Sequence, residues 1–149
     1  MMTISNKANN QSPALNAFVK LMRAAGTVNA RVHGHLTEYG LTISQFGVLE
    51  ALCHLGPLCQ REIGNKILKS GGNITTVIAN LEKRGLIKRI RNEKDQRFYE
   101  VTLTEKGEKL ITVIFPKHQD IISKEFSILN PVETDELARL CKKLGRQGG

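Results

Sequence analysis

No apolar run in this 149-residue chain approaches the roughly 20 residues that a membrane span requires. Met1 to Ser12 are polar and hold no apolar stretch of the kind a secretory leader carries, so no secretory signal is expected. Cysteine is scarce: three residues, an odd number without close pairing, make no disulfide framework. These absences point to a cytoplasmic protein with no membrane partner. Signatures of catalysis are missing as well. There is no P-loop and no G-x-G-x-x-G between a strand and a helix. There is no G-x-S-x-G. Gly71-Gly72-Asn73 lacks the Lys-Ser/Thr that completes a phosphate cradle. The fourteen Asp and Glu residues are spread along polar faces without a paired arrangement. No enzyme, cofactor or metal centre is expected. Acidic residues are also outnumbered by 22 Lys and Arg, for a net charge of +8.

What is present is globular. Hydrophobic residues make up 40% and charged residues 24%, which excludes whole-chain disorder. The length is about one domain's worth, enough to bury roughly two thirds of the unfolded surface without staples. The basic excess favours a polyanionic partner, most simply nucleic acid. A basic protein with no such partner is the alternative.

Residues 1–11 read as a flexible tail and 12–149 as a single domain. Ser12-Pro13 fits an N-cap followed by Pro at the first helical position. Leu15, Phe18, Val19, Met22, Ala25, Val32 and Leu36 then recur at helical spacing, predicting one long helix to about Tyr39, ended by Gly40. Its length exceeds the need of a small core, so part of it is expected to face a partner subunit. Thr42-x-x-Gln45 is a capping box ahead of a helix ending near Gly56-Pro57. A short helix at about Gln60–Leu68 and another from Asn73 to about Arg84 follow, separated by Ser70-Gly71-Gly72. The period then switches to two. Leu86–Arg91 and Arg97–Leu103 read as a hairpin around the polar turn Asn92 to Gln96. Helical spacing returns after Thr104, with Pro116 expected to kink or split that helix. A last helix starts at Asn130-Pro131 and carries Leu137, Leu140, Cys141 and Leu144 on its apolar side.

The fold class is therefore mainly α with a small β-hairpin wing: three short helices and a charged hairpin match a winged helix-turn-helix. Lys83 to Arg97 contain seven basic residues (Lys83, Arg84, Lys88, Arg89, Arg91, Lys94, Arg97) against Glu93 and Asp95. A solvated hairpin has no use for that density. DNA phosphates do, because each one neutralised releases condensed counterions. The turn before the hairpin's preceding helix holds Ser70, Gly71, Gly72, Asn73, Thr75 and Thr76, small hydrogen-bonding residues suited to a major groove. Alternatively, it is only a Gly-rich joint between two helices.

Three segments stand in the order and spacing of a known family. They are Leu41-Thr42-Ile43-Ser44-Gln45-Phe46 through Leu49, Leu81-Glu82-Lys83-Arg84-Gly85-Leu86-Ile87, and Asp95-Gln96-Arg97 followed by Val101-Thr102-Leu103-Thr104-Glu105-Lys106-Gly107. From about Leu15 to Leu144 the chain resembles the MarR family of regulators. The resemblance implies a homodimer whose terminal helices, 12–39 and 105–145, interlock, and whose winged regions, 41–103, straddle a palindromic operator in double-stranded DNA. It implies repression of transcription. It also implies that Arg97 reaches a minor groove from the wing tip while Asp95 braces the loop, with Arg89, Arg91 and Lys94 nearby. A phosphate contact, or an ion pair to Asp95, is the plainer role for Arg97. Ser70, Asn73, Thr75 and Thr76 would line the major groove. Many members carry Arg where Thr76 stands and a charged pair where Ala79 and Asn80 stand, so the operator is not transferable. Gly64-Asn65-Lys66-Ile67-Leu68 followed by Ser70-Gly71, with Ile114-Phe115-Pro116-Lys117-His118, resembles the branch that controls quinone and catechol detoxification. That implies a small phenolic or quinone-like effector.

His33, His35 and His54 are candidates to gather near such a site, although His33 and His35 diverge on a helix and make poor joint metal ligands. Met22, His33, Tyr39, Phe46 and Cys53 offer the apolar walls and few polar groups of a small-molecule pocket. Their alternative role is packing in the dimer interface. Cys53 and Cys141 fall on apolar faces and read as inert core residues. Cys59 stands at a helix start, where a thiolate is favoured, and is the candidate for a redox switch. Redox-sensing branches of the family often place a cysteine in the first helix, and none stands there. The two rival functions are therefore a thiol-based redox sensor and a winged-helix protein-interaction module.

Overall fold

The computed structural model of the chain describes residues 12–67 and 73–146. Helix α1, Pro13–His33, opens as expected: the Leu15 N–H donates to the Ser12 hydroxyl oxygen, 3.1 Å, and Pro13 takes the first position. It does not run on to Tyr39 as an α-helix. At Gly34 the chain tightens into a 3-10 helix, Gly34–Tyr39, the form in which α-helices often finish. Gly40, at φ +66°, ends it.

Helix α2, Ile43–Leu55, begins with the reciprocal capping box. The Gln45 N–H donates to Thr42 Oγ1, 3.1 Å, and the Thr42 N–H donates to Gln45 Oε1, 3.0 Å. Strand β1, Leu58–Cys59, helices α3, Gln60–Ile67, and α4, Ile74–Lys83, strands β2, Ile87–Arg91, and β3, Tyr99–Leu103, then lead to α5, Glu105–Phe126, and α6, Pro131–Arg146. The sheet is antiparallel in the order β1-β3-β2, with Leu58 opposite Val101 and Arg91 opposite Tyr99. β1 is absent from the sequence expectations, since two residues carry no alternation to read.

Pro116 neither splits nor ends its helix: α5 is continuous from Glu105 to Phe126. Ile111, Ile114 and His118 are buried on both sides of it, and packing outweighs the one backbone hydrogen bond that Pro forgoes. No helix among the described residues is long and apolar enough to cross a membrane.

The chain divides into two compact units. The central unit, from His35 to Ile121, contains the core. Leu49, Ile63, Ile78, Leu81, Leu86 and Ile114 are essentially inaccessible, each contributing about 1.5–3 kcal/mol by burial. Thr104 fixes the start of α5: its hydroxyl accepts the Gly107 N–H, 3.1 Å, and donates to the Gly85 carbonyl. Gly107 is there because the Leu86 backbone leaves no room. A Cβ at position 107 would stand 2.0 Å from the Leu86 carbonyl oxygen.

The terminal unit holds α1, the end of α5 and α6. Arg31 and Glu125 form an ion pair there at 2.7 Å. α1 buries only Val32, and α6 buries nothing. Two cysteine expectations fail for that reason and a related one. Cys141 is exposed because its whole helix is. Cys53 is exposed because α2 buries Phe46, Val48, Leu49 and Leu52 and turns the next position outward.

Candidate nucleic-acid interface

Helix α4 is two-sided. Val77, Ile78 and Leu81 are buried, while Asn73, Thr75, Thr76, Ala79 and Asn80 are exposed. Asn73 is the N-cap: its side-chain oxygen accepts the Thr76 N–H at 3.2 Å. Thr75 is tied to the preceding helix, its hydroxyl accepting from Gln60 Nε2 at 2.9 Å. This bond fixes α4 against α3, the geometry on which a helix-turn-helix depends. Ser70, Gly71 and Gly72 lie outside the described residues. Asn80, one turn beyond Thr76, extends the exposed polar face; the sequence names it only as a departure from the family's charged pair. Its i+4 spacing from Thr76 was the signal.

The wing tip is built around Asn92 and Asp95. Asn92 Oδ1 accepts the N–H groups of Lys94, 2.8 Å, and Asp95, 2.9 Å, a side-chain-closed turn. The Asn92 N–H donates to the Phe98 carbonyl, 2.9 Å, and the Phe98 N–H to the Asp95 carbonyl, 3.1 Å. Asp95 holds Arg97 through both carboxylate oxygens: Arg97 Nε donates to Oδ1, 3.0 Å, and Nη2 to Oδ2, 2.9 Å. These bonds keep the Asp95 carboxyl below the usual carboxylate range and raise the Arg97 guanidinium correspondingly. The Arg97 side chain is still 85% exposed. Its fork is therefore aimed and open to a partner. Arg91 bonds the Tyr99 hydroxyl across the hairpin, with its guanidinium 5.0 Å from the ring centre.

The seven cations of this segment have different tasks. Arg89 Nε meets Glu82 Oε1 at 3.3 Å, joining the wing to α4. Arg84 turns away from the wing, donating to the carbonyls of Gly40, 2.8 Å, and Tyr39, 3.1 Å, where it closes the 3-10 helix. Lys83, Lys88 and Lys94 are exposed. Sequence density alone did not separate the structural arginine from the others.

The expected effector residues are dispersed between the two units. Met22, exposed, and His33, half-buried, belong to the terminal unit, where His33 Nδ1 lies 2.9 Å from the Asn29 carbonyl of its own helix. Tyr39, Phe46 and Cys53 belong to the central unit. His54 lies 2.9 Å from the Glu50 carbonyl. His35 instead meets His118, Nε2 to Nδ1, 3.0 Å. The His118 ring also packs on Phe46, 4.6 Å between centres. Beside it on α5, Lys117 donates to the Tyr39 hydroxyl at 2.6 Å, which holds the ammonium pKa above its ordinary value. The sequence singles out His118 only within the Ile114–His118 segment of the finer family resemblance, and its partner His35 is not legible there.

Cys59 is half-buried at the end of β1. Its N–H donates to Glu62 Oε1 at 3.1 Å, and this bond, with one from its thiol, holds the Glu62 carboxyl below the usual range.

The geometry has close parallels. The family model described as "Transcriptional regulator SarA/Rot" matches residues 32–114. The chain is 35% identical over 132 residues to the HTH-type transcriptional regulator MhqR of Bacillus subtilis, covering 89% of this chain and 91% of that one. Among solved structures, a MarR family protein from Bacillus stearothermophilus superposes with a TM-score of 0.70 at 27% identity, covering 89% of this chain and 94% of that one. BpsR of Bordetella bronchiseptica, whose DNA binding is described as regulated by 6-hydroxynicotinic acid, gives 0.73 at 28% identity over 85% and 90%. These relatives are transcriptional regulators rather than enzymes. An exposed polar helix locked to its neighbour, a braced basic wing and relatives of this kind converge: the chain belongs to the MarR-type winged helix-turn-helix family of transcriptional regulators.

Proposed function

We propose that this chain is a homodimeric repressor that binds a palindromic operator and is released by a small phenolic or otherwise hydroxylated aromatic effector. The observation that carries the DNA reading is the wing tip. An exposed arginine fork is pre-aimed by Asp95 on a turn closed by Asn92, and the same unit exposes Asn73, Thr76 and Asn80 of α4. An arginine held ready loses less freedom on entering a narrow minor groove, where it reads shape more than base identity. Residues 41–103 act as the DNA-reading region, and 12–39 with 105–145 as the dimerising helices. Support for dimerisation comes from the terminal unit, whose apolar side chains Phe18, Val132, Leu140 and Leu144 are exposed.

Support for an aromatic effector comes from BpsR and from the central unit itself. There the rings of Phe46, His118 and His35 meet at a tilt, and Lys117 meets Tyr39, a mixture of apolar faces and a few polar groups that suits a phenol. A coupling of about 1–3 kcal/mol between effector and DNA would weaken operator binding 5–150-fold.

The test is fluorescence anisotropy on the duplex upstream of the chain's own gene, against a shuffled duplex, at several salt concentrations. A preference of roughly a thousandfold or more for the native duplex is expected of an operator. Equal, salt-insensitive affinity for both would contradict the reading and favour a protein-interaction module. Cys59→Ser separates out the redox alternative: an oxidant response that vanishes in this variant, with DNA affinity intact, would move the sensor to the thiol.

A further inference from the structure

Phe98 is the most conspicuous apolar side chain outside the terminal unit. It is 56% exposed, although its backbone is clamped on both sides, by the Asn92 N–H on its carbonyl and by its own N–H on Asp95. The ring contributes nothing to the central core and sits among cations. The Arg97 guanidinium is 5.9 Å from its centre, and Lys94 and Arg91 are exposed close by in sequence. The Asp95 charge is taken up by Arg97. A rigid turn that displays a bare phenyl ring beside a pre-aimed arginine matches a surface with anionic rims and an apolar strip between them. The minor groove of duplex DNA has that make-up: phosphates at the edges and deoxyribose carbons along the walls.

We infer that Phe98 is a DNA-contacting residue that lies against the minor-groove wall beside Arg97 and supplies affinity that does not depend on salt. Apolar side chains placed beside basic ones are a recurrent means of holding a minor groove. The inference rests on the DNA-binding reading and adds to it a second contact of a different physical kind. Arg97 exchanges counterions, so its contribution falls as salt rises. Phe98 buries apolar surface, so its contribution does not.

That difference is measurable. A duplex of about 30 base pairs, selected from a random pool on the wild-type chain, would be titrated with wild type, Phe98→Ala, Phe98→Leu and Arg97→Ala across a salt series. Phe98→Ala is expected to bind about tenfold more weakly, the effect of uncovering roughly half a phenyl side chain. Its slope of log affinity against log salt should equal that of wild type. Phe98→Leu should retain most of the affinity. Arg97→Ala should flatten the slope by about 0.9, one phosphate's worth. Phe98→Ala binding within twofold of wild type overturns the inference and leaves the DNA reading standing. So does a loss accompanied by a flattened slope, which would assign the effect to displaced cations. If the wild-type chain selects no duplex and shows no salt-dependent binding, the DNA reading itself falls, and this inference with it.

Discussion

The two units use their apolar residues in opposite ways. In the central unit, Ile63, Ile78, Leu81 and Ile114 are sealed from solvent in the core that carries α4 and the wing. In the terminal unit, Phe18 of α1 is 59% exposed, Val132 of α6 77%, and Ile128 of the turn between α5 and α6 89%. Both units contain helices with an apolar stripe. What differs is whether the chain itself supplies the other half of the contact. Exposed apolar faces of this extent mark interaction surfaces. The central unit completes its own fold, and the terminal unit leaves its apolar faces exposed, as the proposed homodimer requires.

Core and stripe substitutions separate the two most sharply. Ile114→Ala should lower the unfolding free energy by about 2–5 kcal/mol, with a midpoint that shifts equally at all protein concentrations. Leu140→Asp combined with Leu144→Asp should leave the central unit folded and abolish self-association, seen as loss of the concentration dependence of thermal unfolding. If the double variant keeps wild-type mass and melting behaviour, the apolar face of α6 is not an interface and the comparison breaks.

Gly107→Ala comes next. The 2.0 Å approach to the Leu86 carbonyl forces α5 and Leu86 apart, and a loss of about 1–3 kcal/mol in denaturant unfolding is expected. Thr42→Ala removes half of the capping box and should cost about 1 kcal/mol, with Thr42→Ser restoring most of it. The smallest effect belongs to the wing. Because the folded Asp95 carboxyl titrates below its usual range, the Arg97 brace is fully present above that range. It is lost only as the pH falls through the depressed value. An NMR titration of the Asp95 carboxyl should show this displacement, and Arg97→Ala should abolish it with little change in global stability.

Features that depend on local chemistry were legible in the sequence. The Thr42–Gln45 box, the Gly40 stop, the hairpin and the density of positive charge all came from residues within a few positions of one another. Asp95 as a brace for its own loop came from the family resemblance. Features that depend on distant partners were not. β1 is a strand only because Leu58 and Cys59 pair with Val101 and Glu100. α5 passes Pro116 because of what it packs on. Arg84 resembled a DNA contact until the carbonyls of Tyr39 and Gly40 stood beside it. The pairing of His35 with His118 spans 83 positions, and no spacing rule reaches that far.

Sedimentation equilibrium of the wild-type chain, alone and with a selected duplex, tests the division of labour most directly. The expected result is twice the 16.6 kDa chain mass in the absence of DNA and two chains on each duplex in its presence. A species of single-chain mass that binds duplex one to one would contradict it, because the exposed helices of the terminal unit would then have no second copy to meet.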